Sequence, residues 1–395
     1  MSDEEEKHQK HLSLRWETKD LWPDLRKEFE VSKTGAAMIL SLVTANDWVT
    51  YSRHKGHYKL PARYANRLYT YRRITGAADQ LDAQGLIFHA KALPGQRGWQ
   101  SAMMATPELV ERTNRIIEAG SPLIIAKPAE VIVLRGKDRM PIDYAETKFT
   151  YRAREEIDLI NDALANIELS GCLRAPVRRV FNENFTRGGR MYAVEGAWQT
   201  MKKVDRLRIR IANEPVVEVD YATLHPALLY AEVGKYVPAD TYLIESWPRK
   251  LTKIALNTLI NAPNIHSARF AIAHHPAMSE VAENGSQEAI RAASSLISDI
   301  KRVHAPIAHF FHKGKGLELQ RRDSDMAVKV MLILREAGVA VLPVHDSFLV
   351  PASKADFLEE MMWEVACGTT QLRVPLAPSP TSGSRNSSVS TSKSC

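Results

Sequence analysis

Three separated stretches of the chain carry side chains able to do phosphoryl chemistry, and each also has an ordinary structural use. The first is Pro215-Val-Val-Glu-Val-Asp220-Tyr221-Ala-Thr-Leu-His225, where an apolar strand delivers an aspartate at its end and a helix follows at once. A carboxylate on a rigid strand end can hold a metal ion; read alone, Asp220 can equally cap the following helix. The second is Pro248-Arg249-Lys250-Leu-Thr-Lys253-Ile-Ala-Leu-Asn257-Thr-Leu-Ile-Asn261. Arg249 and Lys253 stand four apart, so on a helix they share a face and present two cations one turn apart. Such a pair can grip a triphosphate and neutralise departing pyrophosphate; by itself it is also what a solvated basic stripe looks like. The third is Val339-Ala-Val-Leu-Pro-Val344-His345-Asp346-Ser347-Phe-Leu-Val350, two short apolar strands around a tight turn with Asp346 at the tip. An aspartate there is ordinarily a turn former. A helix is expected after it, opened by a Ser353-Lys-Ala-Asp356 capping box and burying Phe357, Leu358, Met361, Met362 and Val365.

Taken in order, strand–Asp–helix, Arg-x-x-x-Lys on a helix and a Val-His-Asp hairpin resemble motifs A, B and C of the polymerase superfamily. Its members include family A DNA polymerases and single-subunit phage-type RNA polymerases. Upstream, Phe185-Thr-Arg187-Gly188-Gly189-Arg190-Met191-Tyr192 is similar to the Gly-Arg segment that precedes motif A in both groups and contacts the template–product duplex. A helix expected over 318–337 falls where these enzymes place one just before motif C. The resemblance covers residues 176–373 and implies an α+β fold, a right-hand palm and fingers with an antiparallel sheet and helices. It implies template-dependent nucleotidyl transfer with two Mg²⁺ ions held by Asp220, Asp346 and the backbone carbonyl of Tyr221. By the same resemblance Arg249 and Lys253 bind the nucleotide's phosphates, with Lys253 also the candidate general acid for pyrophosphate. Tyr221, His225, Asn257 and Asn261 would surround the incoming nucleotide; Arg187, Arg190 and His345 would contact nucleic acid, His345 as a positioning residue beside Asp346. The implied partners are DNA and nucleoside triphosphates.

The chain departs from that pattern at the positions that sense the sugar. Ser347 stands where family A DNA polymerases carry Glu, as in the phage-type RNA polymerases. His225, five positions past Asp220, matches neither the Glu of the DNA enzymes nor the small residue of the RNA enzymes. Asn261 replaces the aromatic expected twelve positions after Arg249. DNA synthesis is preferred on the Asp-Tyr of motif A, with phage-type RNA synthesis or priming as the alternative. A third reading, from a different class, is a DNA-binding replication initiator or regulator with a silent polymerase-like domain.

These groups need elements to position them, and the charge pattern suggests a second module. Residues 49–100 hold nine bases (Arg53, Lys55, Lys59, Arg63, Arg67, Arg72, Arg73, Lys91 and Arg97) against Asp79 and Asp82, with Tyr51, Tyr58, Tyr64, Tyr69 and Tyr71 interleaved. That excess is the footprint of a polyanion binder. A helix over 34–47, another over 70–84 stopping at Gly85, and a hairpin turning at Pro94-Gly95 resemble a winged helix-turn-helix domain over 31–112. The resemblance implies Arg72 and Arg73 in the groove, Arg63 and Arg67 on phosphates, and Lys91 and Arg97 in the wing; protein binding is the alternative. Residues 1–30 read as a charged segment frayed over 1–20, residues 113–175 as a connecting or thumb-like segment, and 374–395 as a disordered Ser/Pro-rich tail. Three distant cysteines, an acidic N-terminus and the lack of an apolar run near the ~20 residues a bilayer requires point to a cytosolic protein with no membrane partner. His304, His309 and His312 lack the companions of a zinc site.

Overall fold

The computed structural model describes residues 10–14, 20–92, 100–120, 123–370, 374 and 376. The chain divides into two compact units, residues 1–179 with 192–206 and residues 180–191 with 207–395.

In the first unit Pro23 sits in the opening turn of the helix Trp22–Phe29, where a missing N–H costs nothing. Ser32 caps the helix Lys33–Ala45 by accepting from Gly35 N–H, and Met38, Ile39, Leu40 and Leu42 on it are fully buried. Next come the strand Val49–Tyr51, two 3₁₀ turns at Lys55–Tyr58 and Ala62–Tyr64, and the helix Tyr71–Ala83, which buries Ile74, Ala77, Ala78 and Leu81. Gly85, with φ 68°, turns the chain into the antiparallel strands Ile87–Ala90 and Ser101–Ala105. The sheet runs Lys10–His11, Val49–Tyr51, Ser101–Ala105, Ile87–Ala90. Residues 10–14 are not frayed as expected: Lys10–His11 pairs in parallel with Val49–Thr50, and Leu12 and Leu14 are buried. Burying Leu12 and Leu14 takes apolar surface out of water and so offsets the ordering of this short segment. The helices Pro107–Ala119 and Lys148–Ala165, the latter opened by a Thr147–Thr150 capping box, follow with the strand Ile132–Arg135 between them.

The second unit is organised by one antiparallel pair. Glu214–Asp220 lies against Ser347–Pro351 in the register Asp220↔Ser347, Val219↔Phe348, Glu218↔Leu349. Leu342–Val344 flanks this pair on one side and Arg210–Ile211 on the other. Val219, Phe348, Leu349 and Val350 have no exposed surface, and burying each such side chain contributes about 1.5–3 kcal/mol. Around the sheet stand the helices Leu224–Glu232, Arg249–Asn261, Ile265–Ala273, Gln287–Val303, Gly316–Glu336 and Ala355–Thr370. The architecture is mixed α+β. The capping box at Ser353 is replaced: the helix begins at Ala355, and Ser353 gives its N–H and its hydroxyl to the Glu214 carboxylate at 2.5 and 2.9 Å. No described helix is long and apolar enough to cross a membrane. The expected tail, apart from residues 374 and 376, lies outside the described residues.

Candidate functional site

Asp220 is the last residue of its strand and faces Ser347 across the sheet; Asp346 immediately precedes Ser347. Tyr221 N–H points at the Asp346 carbonyl at 3.4 Å, so the two aspartates leave adjacent strand ends. Val344 pairs with Ser347, which leaves His345 and Asp346 as a two-residue turn. Such a turn needs a left-handed residue to match the twist of its strands, and His345 supplies it with φ 60° in place of glycine. The same sheet face carries Glu218, two residues before Asp220, buried and accepting from Ser347 Oγ at 3.0 Å.

After Asp220 the chain is clamped. The Tyr221 side chain is buried and its hydroxyl donates to the Met362 carbonyl at 2.6 Å, while burial pushes the phenol's pKa up. The Tyr221 ring is thus spent in the core. Thr223, with φ 56°, then swings the chain into the helix Leu224–Glu232, whose first turn holds His225.

The cations come from the helix Arg249–Asn261, which buries Leu251, Ala255, Leu256, Leu259 and Ile260 and leaves Arg249 and Lys253 exposed. Both cations ride on one ring: Arg249 Cζ lies 5.5 Å and Lys253 Nζ 5.8 Å from the centroid of Tyr242. Arg249 Nε also donates to Asp240 at 3.1 Å and, with the Tyr242 and Leu243 backbone N–H groups, holds that carboxyl below the usual range. Tyr242 is 5% exposed, and its phenol is pushed up to about 12 by burial, opposed by Arg249 and reinforced by Asp240, Asp346 and Asp220. The ring thus carries both cations, and the charges of Asp240, Asp346 and Asp220 all act to raise its phenol. Asn257 lies one turn beyond Lys253, but Asn261 at the helix end turns its amide back to the Asn257 carbonyl at 2.8 Å. Asn261 also packs where Gly316 begins the helix Gly316–Glu336; a Cβ on Gly316 would fall 1.6 Å from its Oδ1.

That long helix holds the Gly-Arg segment. Gly189 has φ 88° and a Cβ there would meet the Phe181 ring at 2.8 Å, so only glycine fits. Ser324 Oγ donates to the Gly189 carbonyl and Arg321 Nε to the Phe185 carbonyl at 2.9 Å. Arg190 reaches Asp323 Oδ2 at 2.7 Å, and His225 Nε2 meets the same oxygen at 2.9 Å. Arg187 pairs with Glu183 at 2.8 Å.

The basic stretch of the first unit divides in two. Arg63 is committed to acidic partners: Asp143 at 2.5 Å, Glu146 at 3.0 Å, Glu130 at 3.4 Å and the Tyr144 carbonyl at 2.8 Å, with its guanidinium 3.8 Å from the Tyr144 ring centroid. Arg63, expected on phosphates, is thus surrounded by acidic side chains. Lys91 is likewise held by Asp79 at 3.1 Å and Asp82 at 2.9 Å. Arg67, Arg72 and Arg73 are exposed with no carboxylate partner among the described residues, Arg73 donating to the Arg67 carbonyl at 2.6 Å, and exposed Lys55 and Lys59 lie nearby in sequence. Arg97 lies outside the described residues. The tyrosines pack inward: Tyr51 is buried, Tyr64 accepts from Leu134 N–H at 3.1 Å, and Tyr58 contacts Tyr69 and Tyr71 at 5.3 and 5.9 Å.

Sequence reasoning missed Glu218, Asp240, Tyr242 and Asp323. The alternation Glu218-x-Asp220 and the Asp240-Thr-Tyr242 triplet shortly before Pro248 were the available signals. Among the described residues no three His, Cys, Asp or Glu side chains form a metal-holding group. His304 is fully buried between the Tyr230 hydroxyl at 2.9 Å and the Thr241 carbonyl at 3.0 Å, and burial lowers its pKa.

Compared with known proteins, the sequence matches no family model and no curated protein. Among solved structures the chain is similar to the POL domain of Pol1 from M. smegmatis, in complex with DNA primer-template and dNTP, at 12% sequence identity and a TM-score of 0.32. That match covers 91% of this chain, which spans 65% of the length of the other.

Proposed function

We propose that the second unit is a template-dependent nucleic-acid polymerase, with DNA synthesis preferred, and that residues 31–112 form a winged-helix module that docks nucleic acid. The reading is supported by two carboxylates that leave adjacent strand ends and by two helical cations that share the Tyr242 ring. Phosphoryl transfer needs little covalent help from protein; it needs in-line placement and neutralised charge. Asp220 and Asp346 supply negative oxygens at a rigid edge, and the Tyr221 carbonyl follows Asp220 directly in sequence. This all-oxygen donor set, short of three side chains, fits magnesium, which keeps waters and substrate phosphates among its ligands. Bound by those three groups, Mg²⁺ would supply the positive charge that an attacking 3′-hydroxyl and a transferring phosphate require. Arg249 and Lys253 grip the triphosphate, and Lys253 hands its proton to the leaving pyrophosphate. His225 and Asn257 sit around the sugar, while Arg187 and Arg190 hold the duplex.

The docking role of the first unit is supported by its element order and by Lys55, Lys59, Arg67, Arg72 and Arg73, exposed and without a carboxylate partner among the described residues. The test is incubation with Mg²⁺ and a primed DNA template, with dNTPs in one reaction and NTPs in another. Extension with dNTPs that is lost in Asp220→Ala and Asp346→Ala is expected. Extension with NTPs alone assigns RNA synthesis; silence in both with DNA still bound assigns a regulator.

A further inference from the structure

Asp323 is a buried carboxylate that the reaction itself does not use. Its side chain is 1% exposed on the helix Gly316–Glu336, and one oxygen, Oδ2, takes both Arg190 at 2.7 Å and His225 Nε2 at 2.9 Å. The other oxygen has no hydrogen-bond partner among the described residues. Burial works against the charged form, but His225 and Arg190 outweigh it and hold the carboxyl below its ordinary range. An ionised carboxylate only accepts hydrogen bonds, so the nitrogen facing it carries the proton. His225 Nδ1 makes no hydrogen bond among the described residues, and His225 sits on the first turn after the strand that ends in Asp220.

We propose that Asp323 is a positioning residue: by accepting from Nε2 it fixes His225 as the Nε2–H tautomer and leaves Nδ1 as the atom offered to a hydroxyl on the incoming nucleotide's sugar. The inference rests on the polymerase reading above. Rotation of the ring or a swap of tautomer would present a carbon or a donor in place of the lone pair, so sugar recognition depends on Asp323 although Asp323 does not touch the substrate. Because Arg190 shares Oδ2, the placement of the duplex-facing arginine and of the sugar-facing histidine are set by one atom. An asparagine at 323 keeps one acceptor and loses the charge, so it can serve His225 or Arg190 but not both with full strength.

The test uses the full chain labelled with ¹⁵N-histidine, with His225→Gln to identify the His225 signals. The wild-type protein is expected to show His225 protonated on Nε2 alone, and Asp323→Asn to show a mixture of tautomers. In steady-state incorporation, Asp323→Asn is expected to cut discrimination between ribo- and deoxynucleotides about tenfold, mostly through KM, while circular dichroism stays that of the wild type. A wild-type His225 protonated on Nδ1 overturns the inference with no variant needed. So does an Asp323→Asn protein with unchanged tautomer and unchanged discrimination. A wild-type protein that fixes the tautomer but incorporates neither kind of nucleotide overturns the polymerase reading, and the sugar role with it.

Discussion

Replacing Arg63 and replacing Arg72 by alanine should have opposite consequences, although the two lie nine residues apart in the same basic stretch. The Arg63 guanidinium covers the Tyr144 ring at 3.8 Å, an arrangement worth about 0.5–1 kcal/mol. Its hydrogen bond to the Tyr144 carbonyl at 2.8 Å adds about 1 kcal/mol. The pair with Glu146, a third exposed, is discounted to a few tenths, and the solvated Asp143 is given nothing. Buried Glu130 loses only its longest contact, because Arg154 keeps it at 3.0 and 3.2 Å. Arg63→Ala should therefore cost about 2 kcal/mol, a fall in Tm of about 4–8 °C for a unit of this size, and leave DNA affinity unchanged once the protein is folded. Arg72 is exposed with no partner among the described residues, so Arg72→Ala should leave Tm unchanged. It should weaken binding to every DNA sequence and lower the slope of log K against log salt by about 0.9. Thermal unfolding and fluorescence anisotropy with a labelled duplex at several salt concentrations measure both. The reasoning is refuted if Arg63→Ala keeps its Tm and loses DNA binding as Arg72→Ala does.

Arg249→Ala and Lys253→Ala should each raise the KM for nucleotide at least tenfold, with Tm unchanged because both heads are exposed; an unchanged KM in initial-rate assays would remove them from the triphosphate site. Tyr221→Phe should cost about 1 kcal/mol in urea unfolding by removing the buried hydrogen bond to the Met362 carbonyl, with incorporation close to wild type, since only the backbone of Tyr221 serves the site. Asp79, held down to about 2 chiefly by the Arg53 hydrogen bond, has a folded pKa below its ordinary 3.8. Its contribution to stability is thus full above about pH 4 and fades as pH falls toward 2; an Asp79→Asn protein should differ from wild type in stability at pH 5 and 7 and converge with it in acid. Thr223→Gly should hold or raise stability, by up to about 1 kcal/mol, because a β-branched residue at φ 56° with no capping hydrogen bond carries more strain than glycine's chain entropy costs; a loss above 1 kcal/mol in urea unfolding would count against that account.

What the sequence disclosed and what it hid divide along one line. Strand ends, helix faces and tight turns are local, so the settings of Asp220, of Arg249 with Lys253, and of His345-Asp346 could be read from spacing alone. Charge partners are not local. A window over residues 49–100 counts nine bases against two acids, but the carboxylates that neutralise Arg63 arrive about eighty positions later in Asp143 and Glu146. The same holds for Asp323, whose partners lie 133 and 98 positions away. Tyr242 escaped notice for a related reason: a tyrosine has no motif value until two cations settle on its ring. The failed capping box at Ser353 is the local rule overridden from a distance, by Glu214.

Left-handed backbone recurs at the candidate site, as it does at turns elsewhere in the chain such as Glu30 and Asn46. Left-handed residues stand at His345 beside Asp346, at Thr223 between Asp220 and His225, and at Gly188 and Gly189 before Arg190. A strand that ends in a functional side chain must turn away within one or two residues, or its neighbours would cover the group it delivers. Only a left-handed residue turns that sharply, at a cost of about 1–3 kcal/mol where a Cβ is present. Surrounding packing must over-determine such a turn: Phe348, Leu349 and Val350 are fully buried behind His345, and the Tyr221 hydroxyl is fixed two residues before Thr223. Strained turns backed by rigid core at both carboxylates and at the arginine are what a site relying on placement rather than covalent chemistry requires.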